Sequence, residues 1–280
     1  MSGNGSGAAG PVTIAVAPNG GRKTKADHPA VPLSAAEIAE TAAACREAGA
    51  AMIHVHVRDQ EGGHLLDADA YGAVTKAIRA SVGTEMVVQI TTEAVGLYGP
   101  EEQMAVVRAV RPEAVSLALR ELVPDAASEA AFSRFLGFLK KEAIMPQIIL
   151  YAPDEADRLA DLMARGVIPA SEVPVLYVLG RYTAGQRSDP ADLLPFLAPQ
   201  RAHYAHWSVC AFGPRETACA AAAAYLGGHV RVGFENNTSL PDGSAAPDNA
   251  ALVAATRTAL MAGGLHPSSA DDLRSSWQFA

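Results

Sequence analysis

The chain has 280 residues, 49% of them apolar and 19% charged, with a formal net charge of −8 at pH 7. That balance supports a sizeable buried core and excludes a disordered or fibrous chain. It also makes nucleic acid and anionic membranes poor partners, and no run of about 18 apolar residues offers a membrane span. The three cysteines, Cys45, Cys210 and Cys219, form no CxxC pair, which reads as a reduced, cytoplasmic protein. The Gly/Ser/Ala-rich start has no basic residues and no apolar stretch, so residues 1–11 are expected to be a disordered tail rather than a secretory signal.

From there the chain alternates. Val12–Ala17 is a short β-branched run, expected as strand one. Ser34-Ala-Ala-Glu37 is a capping box that opens a helix to Ala48, and Gly49 stops it. Met52–Val57 is strand two and Asp69–Val82 a helix; Met86–Ile90 is strand three and Pro100–Val110 a helix with Pro at its start. Ala114–Leu117 is strand four, with a helix over Ala126–Glu142. Met145–Leu150 is strand five, followed by a helix at Asp154–Arg165; Val173–Leu179 is strand six, followed by a short helix at Asp189–Leu197. Tyr204–Val209 and Val230–Phe234 are strands seven and eight, followed by helices at Arg215–Leu226 and Asp248–Ala262.

Eight consecutive βα units predict a parallel sheet closed as a (β/α)8 TIM barrel, one α/β catalytic domain over residues 12–280. The competing open, doubly wound sheet would usually carry GxGxxG after strand one, and Pro18-Asn19-Gly20-Gly21-Arg22 does not fit it.

His54-Val55-His56 lies at the end of strand two. Side chains two apart on a strand share a face, so both imidazoles point the same way at the C-terminal mouth of the barrel, where such enzymes keep their chemistry. Strand eight is separated from strand two only by strand one in a closed barrel, and Glu235 follows its end. His54, His56 and Glu235 together make a His2Glu set for zinc, with an open coordination position for a substrate carbonyl.

At these residues the chain resembles the β-keto acid cleavage enzymes. The matching stretches are Pro32 to Ala39, Ala48-Gly49-Ala50, His54-Val55-His56-Val57-Arg58-Asp59, Val88-Gln89-Ile90-Thr91-Thr92, Val178-Leu179-Gly180, Trp207-Ser208-Val209, and Gly227-Gly228-His229-Val230-Arg231-Val232-Gly233-Phe234-Glu235. The resemblance implies a zinc-dependent barrel, commonly a homotetramer. Its reaction takes a 3-keto acid and acetyl-CoA to acetoacetate and a new acyl-CoA. It puts zinc on His54, His56 and Glu235, and substrate hydrogen bonds on Thr91 and Ser116. It implies a catalytic dyad of an Arg on strand eight, here Arg231, and an Asp directly after the zinc Glu.

The Asp position is Asn236 here, and an amide is no base at pH 7. Glu93, which stands where the family typically has Gly, is a candidate substitute carboxylate, with Asp59 and Asp242 as weaker ones. The loop Arg22-Lys23-Thr24-Lys25 stands where the amino-substrate enzyme has an acid, so Arg22 or Lys23 is expected to meet an anionic or polar substrate tail. Trp207, Ser208 and Arg215 are candidates for the coenzyme A path, and His203 and His206 for support behind the metal ligands. A barrel hydrolase of the amidohydrolase kind is the alternative enzyme reading, but it needs histidines on strands five and six, which have none. A non-enzymatic binding barrel is the other alternative, and it would need no open metal site.

Overall fold

Residues 10–277 and residue 279 are described in a computed structural model of the chain. The tail expected over residues 1–11 falls mostly on residues 1–9, outside the described residues. Eight strands run in parallel: β1 Ile14–Val16, β2 Met52–Val55, β3 Val87–Thr91, β4 Ala114–Ala118, β5 Met145–Leu150, β6 Val175–Leu179, β7 Trp207–Ala211 and β8 His229–Val232. They close in the order β1-β8-β7-β6-β5-β4-β3-β2, so the expected (β/α)8 TIM barrel is the fold.

The outer helices are α1 Ala35–Ala48, α2 Ala68–Val82, α3 Pro100–Val110, α4 Glu129–Lys141, α5 Pro153–Ala164, α6 Glu216–Tyr225 and α7 Asn249–Ala262. The unit between β6 and β7 has only a 3-10 turn, Pro190–Leu193, where a longer helix was expected. At α1 the capping box forms as read: Ser34 Oγ accepts from the Glu37 N–H, and the Glu37 carboxylate accepts from the Ser34 N–H.

Three departures from the expected elements bear on the site. β2 ends at Val55, and Val57–Arg58 instead pairs antiparallel with His64–Leu65. β7 runs two to three residues later than expected, because pairing with β6 sets its register through Val175 and Trp207. β8 ends at Val232, because Gly233 adopts a φ of 133° and turns the chain there. A Cβ at Gly233 would lie 2.5 Å from the Ala17 carbonyl oxygen, so glycine is required twice over.

The barrel interior is layered. At the bottom, Ala15, Met52, Val87 and Ala114 pack against Leu273 and Trp277. Leu273 belongs to a short helix, α8 Ala270–Ser276, which sequence reading missed and which plugs this end. Above that layer runs a polar relay. His54 Nδ1 donates to Gln89 Oε1 (2.8 Å), Gln89 Nε2 to Gln147 Oε1 (3.1 Å), and Gln147 Nε2 to Ser208 Oγ (3.3 Å).

Because β2 stops at Val55, His56 lacks a ladder partner on the β1 side. Asn19, fully buried, takes that place: its Nδ2 donates to the His56 carbonyl (2.9 Å) and its Oδ1 accepts from the His56 N–H (3.3 Å). Its Nδ2 also reaches the Pro32 carbonyl at 3.0 Å. Asn19→Ala leaves these backbone groups unpaired in a dry environment and should cost about 2–3 kcal/mol of stability. Urea denaturation of the two proteins checks this; an unchanged midpoint would show that the loop closes without the amide.

Candidate metal centre and active site

Three donor atoms converge at the barrel mouth. His54 Nε2 and His56 Nε2 lie 3.1 Å apart, and Glu235 Oε2 lies 3.6 Å from the first and 3.4 Å from the second. Tetrahedral ligands at about 2.0–2.1 Å from one zinc ion would be separated by about 3.3–3.4 Å, so the set has the right size to hold such an ion. Both imidazoles are 1% exposed, which leaves them no water to face instead. Glu235 Oε2 is buried without a hydrogen-bond partner. Gln89 Oε1 holds the proton of His54 on Nδ1 and leaves the Nε2 lone pair facing the cluster. These three residues are the group able to hold a metal ion among the described residues.

The charges fit that arrangement. Burial, reinforced by the nearby Arg231 guanidinium, pushes His54 well below its usual value, so its imidazole is neutral. Burial alone would raise Glu235. Arg231 and the two imidazoles outweigh it and hold the carboxyl well below the usual carboxylate range. Arg231 points inward from β8 and is 4% exposed. Its Nη2 donates to Glu235 Oε1 (3.0 Å) and to Cys210 Sγ (3.3 Å), while Nε and Nη1 are buried without partners. Arg231 therefore positions the carboxylate and still has donors to spare.

The loop after β1 lies directly over the donors. A Cβ at Gly20 would sit 2.6 Å from Glu235 Cγ, and one at Gly21 would sit 2.7 Å from Glu93 Oε2. The Gly20-Gly21 pair is thus a close-approach site as well as a turn. Arg58 pins this loop by donating to the carbonyls of Gly20 and Lys23.

Glu93 follows β3 and reaches the centre. Its Oε2 is 3.7 Å from His56 Nδ1, and its Oε1 is 3.5 Å from an Arg181 nitrogen. His64 Nε2 donates to the Glu93 carbonyl (2.7 Å), and burial holds the His64 imidazole down at about 3 and neutral. Thr91 lines the same small cavity, about 20 Å³, as His54, His56, Glu93, Arg231 and Glu235. Its hydroxyl oxygen accepts from the Glu93 N–H (2.9 Å), which leaves the hydroxyl proton to donate. Ser116 stands behind it, 3.4 Å from the Thr91 hydroxyl, and is buried. Arg22 is exposed and lines a second cavity of about 200 Å³ that shares Glu93, Arg181, Phe212 and Glu235 with the first.

Asn236 is placed differently. It is buried and does not line either cavity. Its Nδ2 donates to Glu216 Oε1 (3.2 Å) and to the Arg231 carbonyl (3.3 Å). Glu216 also accepts from the Gly233 N–H and from Asn237 Nδ2, and burial raises its carboxyl to about 8. The weaker carboxylates are spent locally: Asp59 accepts from the Glu61 and Gly63 N–H groups, and Asp242 from Ser244.

Several sequence candidates fall away from the mouth. Trp207 packs against Tyr177 in the core, and Ser208 ends the polar relay inside the barrel. Arg215 pairs with Asp189. His206 stacks on His229 and Trp277 beside the bottom plug rather than behind a ligand. A cavity of about 550 Å³ at the helix ends around Gly49, Thr84 and Arg257 holds none of the clustered donors.

Sequence reasoning missed Gln89, Asn19, Arg181 and Glu216 as site residues. Arg181 had a readable signal, since it follows Leu179-Gly180 at the mouth end of β6. Glu216 had none, because its partners lie some 20 residues further along the chain.

The comparisons with known proteins identify the family and the fold. The family model of beta-keto acid cleavage enzymes matches residues 11–278. The 3-keto-5-aminohexanoate cleavage enzyme of Fusobacterium nucleatum subsp. nucleatum is 29% identical, covering 84% of this chain and 85% of that one. The 3-oxoadipate:acetyl-CoA acetyltransferase of Cupriavidus necator is 29% identical, covering 87% of this chain and 86% of that one. Among solved structures, apo ObcA superposes with a TM-score of 0.70 at 17% identity, over 89% of this chain and 65% of the ObcA chain, a likeness of fold. With a match that runs through every strand of the barrel and all three converging donors, the chain belongs to the β-keto acid cleavage enzyme family.

Proposed function

We propose that this protein is a zinc-dependent acyl-transfer enzyme that exchanges a β-keto acid with acetyl-CoA, giving acetoacetate and a new acyl-CoA. The observation that carries the reading is the convergence of His54, His56 and Glu235 beside the unpaired nitrogens of Arg231, in a member of this family. The names of the Fusobacterium and Cupriavidus relatives support the same class of reaction. The family resemblance adds a homotetramer, the cysteine usage a cytoplasmic setting, and the run of eight βα units one catalytic domain over residues 12–280. No helix among the described residues is long and apolar enough to cross a membrane.

A divalent ion on the three donors would supply Lewis acidity toward the keto and carboxylate oxygens of the substrate. The protein's own groups supply the rest. Glu93 is the carboxylate that lines the cavity outside the ligand set, and it takes the proton from the carbon between the two carbonyls. Arg231, through Nε and Nη1, and the Thr91 hydroxyl donate to the oxygens on which negative charge develops. The carbanion attacks the thioester carbonyl and expels the coenzyme A thiolate. The thiolate then attacks the original keto carbon, the old carbon–carbon bond breaks, and Glu93 returns its proton to acetoacetate. Ser116 fixes the Thr91 hydroxyl. Asn236 acts as a positioning residue for the end of β8 through the Arg231 carbonyl.

His54→Ala and Glu235→Ala should each retain less than about a tenth of the bound zinc and lose at least ~10³-fold in kcat, with circular dichroism unchanged. Metal analysis and an acetoacetate assay check this, and normal turnover in both variants would overturn the metal assignment. Glu93→Gln should keep its metal and lose about 10²–10⁴-fold in kcat. It should also stop deuterium exchange at the substrate carbon between the carbonyls when acetyl-CoA is omitted; exchange at the native rate would move the base elsewhere.

A further inference from the structure

We propose that the cavity of about 200 Å³ beside the metal centre is a subsite for a second anionic group, so that the keto acid taken by this protein carries a carboxylate or similar anion at its far end, held by Lys23 and Arg181. The inference rests on the β-keto acid reading and names the substrate class within it.

Three cations follow β1 in sequence, and their fates differ. Lys25 is paired with Glu37 at 2.6 Å, and Arg22 is exposed. Lys23 lines the cavity and is partly buried. Its charge meets Glu216, Asp27 and Glu235 only across a distance, with no hydrogen bond to any of them among the described residues. Burial accordingly lowers the ammonium below its ordinary value. Arg181, just after β6, lines the same cavity. Its guanidinium lies 5.1 Å from the Phe212 ring centroid, and among the described residues Glu93 is its one carboxylate contact, at 3.5 Å.

Among the described residues, none of the carboxylates that share the cavity is hydrogen-bonded to Lys23. Glu235 is bonded to Arg231 and faces the imidazoles, Asp27 accepts from the Thr24 N–H and hydroxyl, and Glu93 faces His56. Among the described residues, Lys23 and the remaining donors of Arg181 are thus left without a hydrogen-bonded acceptor in the cavity. A partly desolvated ammonium without a partner is costly, and an anion brought by the substrate would satisfy it with charge-assisted hydrogen bonds. An ammonium tail would meet two like charges, and a methyl tail would strip water from them with nothing in return.

Size and position favour the keto acid over coenzyme A as the source of that anion. The cavity has room for roughly six or seven water volumes at about 30 Å³ each, enough for a short chain with a terminal carboxylate. It adjoins the metal donors directly, since Glu93 and Glu235 line both spaces.

The test uses the zinc-loaded protein with 3-keto acids of equal length ending in carboxylate, methyl or ammonium. The carboxylate-tailed acid should lead in kcat/KM by at least about tenfold. In Lys23→Met and in Arg181→Gln the ratio of carboxylate-tailed to methyl-tailed kcat/KM should fall by about tenfold, through KM for the keto acid and not for acetyl-CoA. Calorimetry with the matching unreactive 3-hydroxy acids should give the same order of affinities without turnover. Preference for the methyl or ammonium tail overturns the subsite. So does an unchanged ratio in both variants, or a rise confined to KM for acetyl-CoA, which would assign the cations to coenzyme phosphates. If no keto acid is turned over but the calorimetric order holds, the subsite stands and the acyl-transfer reading falls.

Discussion

Two imidazole lone pairs and a carboxylate lone pair face one point in a region closed to water. Left alone, such a cluster is repulsive, and a folded chain tolerates it only if the surrounding structure allows no other arrangement. Much of the upper barrel can be understood as that restraint. The Gln89–Gln147–Ser208 relay sets the imidazole of His54 from behind. Asn19 holds the backbone of His56 after its strand has ended. The turn at Gly233 aims Glu235 back over β1, and Arg231 grips the oxygen that is not aimed at the imidazoles. Removing any one restraint lets a ligand swing away, so the donors and their supports behave as a unit.

Barrel closure is what makes the unit available. β1 separates β2 from β8 by one strand, and its following loop can approach the donors because residues 20 and 21 have no side chains. That same loop carries Lys23 toward the second cavity. The candidate metal donors, the proposed base and the proposed tail subsite therefore share one wall. A shift of the β1 loop would alter all three together.

The parts legible in the sequence were those with local causes. The Ser34–Glu37 cap, the apolar-rich strand runs and the HxH spacing each act within a few residues, and β5 was bounded correctly from its sequence alone. Glu235 was found because closure of a TIM barrel is a strong topological rule. What stayed hidden depended on pairing between distant segments. The start of β7 is set by β6 across the sheet, and an apolar run containing Tyr204 gives no clue to that register. α8 has seven residues and a cap closed by an aspartate, too faint a signal to separate from a loop. Arg181 and Lys23 meet one cavity from loops almost 160 positions apart, so only the folded chain brings them together.

The neighbourhood of Asn236 also bears on how protons are held at the end of β8. The amide donates to Glu216, a buried carboxyl with no cation in hydrogen-bond contact. An aspartate at 236, as the family pattern has it, would put a second carboxyl against the first, where both cannot stay ionised. With Glu216 raised to about 8 by burial, such a pair would share one proton, whereas the amide at 236 leaves that proton on Glu216 alone. The amide thus keeps a titrating side chain off position 236 at this end of β8, and the proposed base, Glu93, stands beyond β3 instead.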